Sequence, residues 1–167
     1  MKNYLVLLLI IFTVEGYAQK CETKKDPFTG EEVVEYDFGK KVVKFRTENE
    51  KIYLEMKFQY YGEQNVMISK GTDFFIKLKN EEVLKLKTTT NAAPMSRIAG
   101  SYIMTLYTYQ FEISKKELTQ LVNSEATMIR YPNPNGETLD FKLTGGNARI
   151  KKHLSKGSSC IFDNLKF

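Results

Sequence analysis

Few residues in the chain are of the types that carry out catalysis or bind metals. The sequence has one histidine, His153, and two cysteines, Cys21 and Cys160. Their spacing is unlike that of zinc ligands, which come in closely spaced pairs of cysteine or histidine. No G-x-S-x-G motif is present, so the serine of an α/β-hydrolase is missing. We therefore expect no catalytic residue, no metal and no cofactor.

His153 lies in a basic run with Arg149, Lys151, Lys152 and Lys156. Positive neighbours disfavour the protonated imidazole, so the histidine should be neutral. Any Ser-His-Asp or Cys-His arrangement would have to use this single histidine. The simpler interpretation is a residue on the surface of a helix.

Paired carboxylates are the remaining route to catalysis. A glycosidase needs two carboxylates on either side of a cleft, and Glu55 and Asp73 are candidates without a motif. A hydrolase acting on an envelope or extracellular polymer is therefore the alternative function. The leading hypothesis is a non-catalytic binding or structural module. A third hypothesis is a chain that works only within an assembly, which an open, apolar strand edge would suggest.

The N-terminus resembles an export signal. Lys2 precedes an apolar run at residues 4–14, which is too short to cross ~30 Å of hydrocarbon. Gly16 and Ala18 are the small residues that a signal peptidase prefers before its cleavage site. The pattern predicts a signal peptide over residues 1–18; an uncleaved anchor is the alternative.

The rest of the chain, residues 19–167, should form a single β-rich domain, secreted or periplasmic, without a membrane span. Lys20 directly precedes Cys21, whereas lipidation requires small residues there. Two cysteines in an exported chain most simply form one disulfide, Cys21–Cys160. Two unpaired buried thiols are the alternative.

The charge balance limits the partners only loosely. The 167 residues include 25 Lys and Arg against 20 Asp and Glu, a net charge of +5. This excess fits an anionic polymer or another envelope component, and it fits a solvated lysine surface better. Nucleic acid is not expected, because the chain is exported and no recognition motif occurs.

Residues of alternating polarity predict strands. In KIYLEMKFQYY, residues 51–61, Ile52 and every second residue after it are apolar. The preceding strand should pair Phe45 with Ile52 through a two-residue turn at 48–49. The opposite face of the 51–61 strand gives a weak candidate for ligand binding by stacking and charge, made of Tyr53, Lys57 and Tyr61.

A second hairpin covers residues 73–87. Pairing Leu78 with Leu84 keeps the apolar faces together and leaves a three-residue loop at 80–82. Lys77 would then lie opposite Lys85. The polar face of this hairpin is the second weak candidate for ligand binding: Lys77, Lys79, Lys85 and Lys87. A solvated outer face or a lysine-protected sheet edge is the simpler alternative.

Helices are predicted at two places. Ser114 and Glu117 form a capping box before a helix over 115–123. A second helix should begin after Asn147 and end at Gly157. A long strand, with Ile103 on its core face, precedes the first helix. The fold class is therefore mainly β, a β-sandwich-like or curled antiparallel sheet with one or two short helices.

Several sequence features are similar to those of one group of proteins. The signal ends in YAQ, the turn DPFTGE follows, and FEISKKELTQL precedes ATMIRY. Together they resemble small uncharacterised secreted proteins of Bacteroidetes-type bacteria. The resemblance implies export, and it supplies no activity and no site residues.

Overall fold

The computed structural model describes residues 20–38 and 42–165, so the predicted signal peptide lies outside the described residues. Within them, no helix has the length and apolarity needed to cross a membrane. The elements are β1 (Lys20–Lys25), β2 (Glu32–Asp37), β3 (Val43–Glu48), β4 (Lys51–Tyr61), β5 (Asp73–Leu78), β6 (Val83–Lys87), β7 (Met95–Ala99), β8 (Tyr102–Ile113), α1 (Lys115–Asn123), β9 (Ala126–Pro132), β10 (Thr138–Lys142) and α2 (Ala148–Asn164).

The strands form two antiparallel sheets. The larger sheet has six strands in the order β1-β2-β3-β4-β8-β7, and the smaller has four in the order β10-β9-β5-β6. Two short helices accompany them. The predicted fold class, mainly β and sandwich-like, is confirmed.

The core lies between the two sheets and is rich in aromatic rings. Phe74 of β5 lies 4.7 Å from Phe111 of β8 and 5.8 Å from Phe58 of β4, between ring centroids. Alternation places these side chains inward on strands whose other residues face outward. Tyr60 donates its hydroxyl hydrogen to the Pro132 carbonyl, at 2.8 Å, so its polar end is satisfied within the core.

Helix α1 follows the predicted bounds. Ser114 accepts a hydrogen bond from the Glu117 amide, and the Glu117 carboxylate accepts one from the Ser114 amide. This is the predicted capping box. Leu118 and Leu121 are buried, which gives the helix its core-facing stripe.

Helix α2 begins after Asn147 as predicted, but the prediction that Gly157 ends it is wrong. The helix continues to Asn164 and packs along β2 and β3. Gly157 is buried against the rings of Phe45 and Tyr36. A glycine here lets the helix approach the sheet closely, and that contact replaces the expected C-cap role.

The predicted disulfide is confirmed. Cys21 on β1 is bonded to Cys160 on α2, with Cα atoms 5.7 Å apart. The bond joins residues 139 positions apart. It therefore fixes the first described strand to the last helix.

Both predicted hairpin registers are wrong by two residues, although the faces are right. Phe45 lies opposite Leu54, and the two-residue turn is Asn49-Glu50. Both turn residues have positive φ, 49° and 60°. Such a turn matches the twist of the flanking strands, and asparagine tolerates this conformation. A two-residue shift keeps every side chain on its face, so the hydrophobic pattern does not detect it.

The β5–β6 hairpin shows the same shift. Ile76 lies opposite Leu84, and Lys77 lies opposite Val83 rather than Lys85. The loop has three residues, as predicted, but Leu78 bonds to Glu82, so the loop starts one residue earlier. The expected repulsion between Lys77 and Lys85 is therefore absent.

Three strands were not predicted: β1, β2 and β7. The DPFTG turn joins β1 to β2, with Asp26 accepting hydrogen bonds from the amides of Phe28 and Thr29. Ile103 has the orientation of the core residues of β8 but is 44% exposed.

Candidate functional site

A cleft of about 480 Å³ lies along the second half of β4. This volume is within the usual range for small-molecule sites, roughly 300–1,000 Å³. The lining is apolar and aromatic except for two cations and an amide: Val42, Lys57, Phe58, Gln59, Arg97, Leu106, Tyr131, Phe141 and Ile150.

The cleft exists because β3 and β4 differ in length. Their pairing ends at Val43 and Met56, whereas β4 continues to Tyr61. Beyond that point β9 and β10 supply the wall, with Tyr131 stacked on Phe58 at 4.2 Å between centroids. The first turn of α2 contributes Ile150.

Two cations and an amide define the polar side of the cleft. The Lys57 ammonium lies 3.7 Å from the Glu55 carboxylate, a long ion pair. The Arg97 guanidinium donates a hydrogen bond to the Gln59 side-chain carbonyl at 3.4 Å. Both contacts are weak by distance. These cations can therefore turn to a bound anion at little cost.

The three residues of the predicted tyrosine–lysine face have three different surroundings. Tyr53, Lys57 and Tyr61 share the outer face of β4, as alternation requires. Arg46 lies over the Tyr53 ring at 5.9 Å, so that ring already has a cation. Lys57 lines the cleft. Tyr61 lies at the far end of the strand and is 78% exposed.

Two of the four lysines of the predicted lysine face are neutralised by acids. Lys77 pairs with Glu81 at 2.5 Å, and Lys85 pairs with Asp73 at 2.8 Å. Lys79 lies in the turn and Lys87 at the exposed end of β6. Paired surface lysines attract an added anion less strongly than free ones.

A smaller depression of about 160 Å³ lies on this same outer face. It is lined by Phe75, Lys77, Val83, Met128 and Arg130. Arg130 is held by two hydrogen bonds to the Asp140 carboxylate, at 2.5 and 2.7 Å, which raise the pKa of the guanidinium further. The depression has a third of the cleft's volume, and its cations are already engaged.

The prediction of a surface His153 is wrong. The side chain is 2% exposed, stacks on Phe38 with centroids 3.3 Å apart, and has its Nδ1 atom 2.7 Å from the Tyr36 hydroxyl. Burial, together with Lys152, Lys156 and Arg149, lowers the pKa of His153 to about 4. The neutral form predicted from the sequence is therefore the folded form. The imidazole is enclosed between α2 and the sheet, away from the cleft lining.

The candidate carboxylates do not converge. Glu55 lies on the outer face of the six-stranded sheet, and Asp73 on the outer face of the four-stranded sheet. Packed sheets are about 10 Å apart, so the two groups face away from each other across the core. Among residues 20–38 and 42–165, no group of three metal-ligating side chains comes together.

Comparison with protein-family models, with curated proteins and with solved structures finds no match to this chain.

Proposed function

We propose that the protein is an exported, non-catalytic binding module whose cleft takes an amphipathic anion. The observation that carries this proposal is the lining, in which aromatic and aliphatic walls stand beside Lys57 and Arg97. An apolar ligand body would displace water from the walls, worth roughly 25 cal/mol per Å². The ligand's anion would sit between the two cations. A fatty acid or an alkyl phosphate has this chemistry.

Export rests on two features of the chain. The sequence has the pattern of a signal peptide, and the Cys21–Cys160 disulfide is compatible with a secreted or periplasmic protein. The similarity to secreted proteins of Bacteroidetes-type bacteria is a further hypothesis that would agree with export. We do not carry the hydrolase alternative forward, because Glu55 and Asp73 face opposite sides of the molecule.

The proposal is tested by calorimetric titration with three probes. Decanoate, kept below its micellar concentration, has both the tail and the charge. Decanol has the tail alone, and acetate has the charge alone. We expect decanoate to bind at least ~10-fold more tightly than either control, since a charged hydrogen bond contributes about 1.5–3 kcal/mol.

Variants then locate the site. Lys57→Gln with Arg97→Gln should weaken decanoate binding ~10-fold or more. Lys77→Gln with Arg130→Gln removes the same charge from the smaller depression and should leave binding unchanged. Equal loss in both double variants would show that only net charge matters, and tighter binding of decanol than decanoate would contradict the role of the cations.

A further inference from the structure

The hairpin joining β7 to β8 ends in an exposed apolar tip, residues 98–103. Ile98 is 81% exposed, Tyr102 65% and Ile103 44%. The tip, IAGSYI, contains no charged residue. Single exposed apolar residues are normal, but a contiguous uncharged group at the end of a hairpin is a feature of interaction sites.

The pairing within the hairpin keeps the two isoleucines together. Ile98 lies opposite Ile103, and Ala99 lies opposite Tyr102. Gly100 has a φ of 65°, which permits the tight turn between the strands. The tip is anchored laterally, because the Gly62 amide donates to the Ile103 carbonyl at 2.9 Å.

The anchoring contact also brings the end of β4 beside the tip. Tyr61, which lies opposite Met104, is 78% exposed. By alternation Tyr61 and Tyr102 lie on the outer face of the larger sheet and the two isoleucines on its inner face, so the end of the hairpin carries exposed apolar side chains on both faces. Each tyrosine ring has an apolar body and a polar hydroxyl. Side chains of this kind favour the boundary between lipid and water.

We propose that the hairpin tip docks on the surface of a lipid bilayer that contains anionic lipids. Arg97 immediately precedes the tip, and the chain carries a net charge of +5. Basic residues next to an apolar insertion are attracted to anionic head groups. Glu63 directly follows Gly62, whose amide bonds to the tip, and this single acidic residue opposes the attraction only in part.

The position of Arg97 connects the tip to the cleft. Arg97 is in β7 and lines the cleft. A molecule docked by its tip would hold this side of the cleft near the lipid surface. The docking does not depend on the ligand of the cleft, and either proposal can fail alone.

A second copy of the chain is a less suitable partner for the hairpin tip than a lipid bilayer. β7 is an edge strand of the larger sheet, so two copies could pair along it. In a symmetric antiparallel pair centred on β7, Arg97 of each copy would face the other. Like charges directly opposite each other destabilise such a pair.

The test is co-sedimentation with vesicles of phosphatidylcholine alone and of phosphatidylcholine mixed with phosphatidylglycerol. The oxidised protein is purified after export, and its N-terminus is checked by mass spectrometry. This check is needed because a retained apolar run at residues 4–14 would bind vesicles by itself. We expect binding to the mixed vesicles, falling with added salt.

Two variants separate the apolar and electrostatic contributions. Ile98→Ser with Ile103→Ser should lower the partition coefficient at least ~10-fold, from the loss of buried apolar area. Arg97→Gln should reduce the preference for phosphatidylglycerol. Val83→Ser, which replaces a 55% exposed residue on the edge strand of the other sheet, is the matched control and should bind like wild type.

Three outcomes would overturn the proposal: no sedimentation of wild type with either vesicle, equal binding of the double isoleucine variant, or a lipid-free dimer that the same variant dissociates. Decanoate titration of Ile98→Ser, Ile103→Ser protein should match wild type, which distinguishes failure of docking from failure of the cleft.

Discussion

Replacing Gly157 by alanine should destabilise the protein, although the same change normally strengthens a helix. Gly157 lies in the interior of α2, where alanine is favoured over glycine by about 1 kcal/mol. A methyl group placed on Gly157 would lie 2.7 Å from Cε2 of Phe45 and 2.8 Å from Cδ1 of Tyr36. Non-bonded carbon atoms pack at about 3.5–4.0 Å. One side of this contact must therefore move.

The room for movement is small. Phe45 is fully buried and Tyr36 is 2% exposed, so neither ring can turn into solvent. Overpacking a core costs typically about 1–3 kcal/mol, and strain at two buried rings favours the upper part of this range. After the gain in helix propensity we expect a net loss of about 1–2 kcal/mol.

The assay is reversible urea unfolding of the oxidised protein, supported by thermal melts. For a domain of this size, each kcal/mol lowers Tm by about 2–4 °C. Gly146→Ala is the matched control, because no heavy atom lies within 4 Å of the added methyl group and the glycine has no left-handed φ. That control should be neutral or slightly more stable.

A double-mutant cycle assigns the cost to the contact. In a Phe45→Leu background, part of the ring that meets the methyl group is gone, so Gly157→Ala should cost less. If Gly157→Ala is as stable as wild type, or if its cost is the same in both backgrounds, α2 does not pack on the sheet as described.

Four other perturbations have defined outcomes. Removing the disulfide with Cys21→Ser and Cys160→Ser should lower the free energy of unfolding by up to about 5 kcal/mol, given a closed loop of ~140 residues; a loss below about 1 kcal/mol in urea unfolding would contradict this. Because folding lowers the pKa of His153 to about 4 while the unfolded residue has about 6.5, stability should fall as pH decreases from 7 to 5, by about 2 kcal/mol from this residue. His153→Asn should remove that part of the slope, and an unchanged slope would refute the assignment. Tyr60→Phe should cost about 1–3 kcal/mol in thermal or urea unfolding, because the Tyr109 hydroxyl, 3.0 Å away, loses its partner; a neutral result would contradict the bond. Adding a saturating amphipathic anion should raise Tm in proportion to the logarithm of its concentration, and acetate should not.

The faces of the strands could be predicted from the sequence, but the registers could not. Burial of every second residue sets which side chains point inward, and this held from Ile52 to Tyr60. A two-residue shift leaves that pattern intact. The geometry of the turns selects between the two registers, because Asn49, Glu50 and Glu81 adopt positive φ values.

One of the missed elements, β7, lacked a hydrophobic pattern. All residues of β7 except Ala99 are exposed, so no alternation marks the strand. The extent of α2 was present in the sequence as a stripe of Ile150, Leu154, Gly157 and Ile161, at helical spacing. A glycine at position 157 also fits the pattern of a helix C-terminus, which is why the sequence predicts an earlier end. A buried glycine at a helix–sheet contact cannot be told from a C-cap without knowing what packs on it.

The cleft could not be predicted, because its walls come from distant parts of the chain. Lys57 was among the candidates as part of a strand face. Arg97 and Phe141 had no motif and reach the cleft only when β7 and β10 join their sheets. The Cys21–Cys160 bond was predictable because only one pairing exists.

The proposal that the cleft binds an amphipathic anion is tested most directly by mapping a ligand onto the molecule. We would titrate isotopically labelled protein with decanoate and follow amide and methyl chemical shifts by NMR. The changes should cluster at Phe58, Gln59, Phe141 and Ile150 and saturate with a single affinity. Changes centred on the smaller depression near Val83, or changes spread over the surface without saturation, would contradict it.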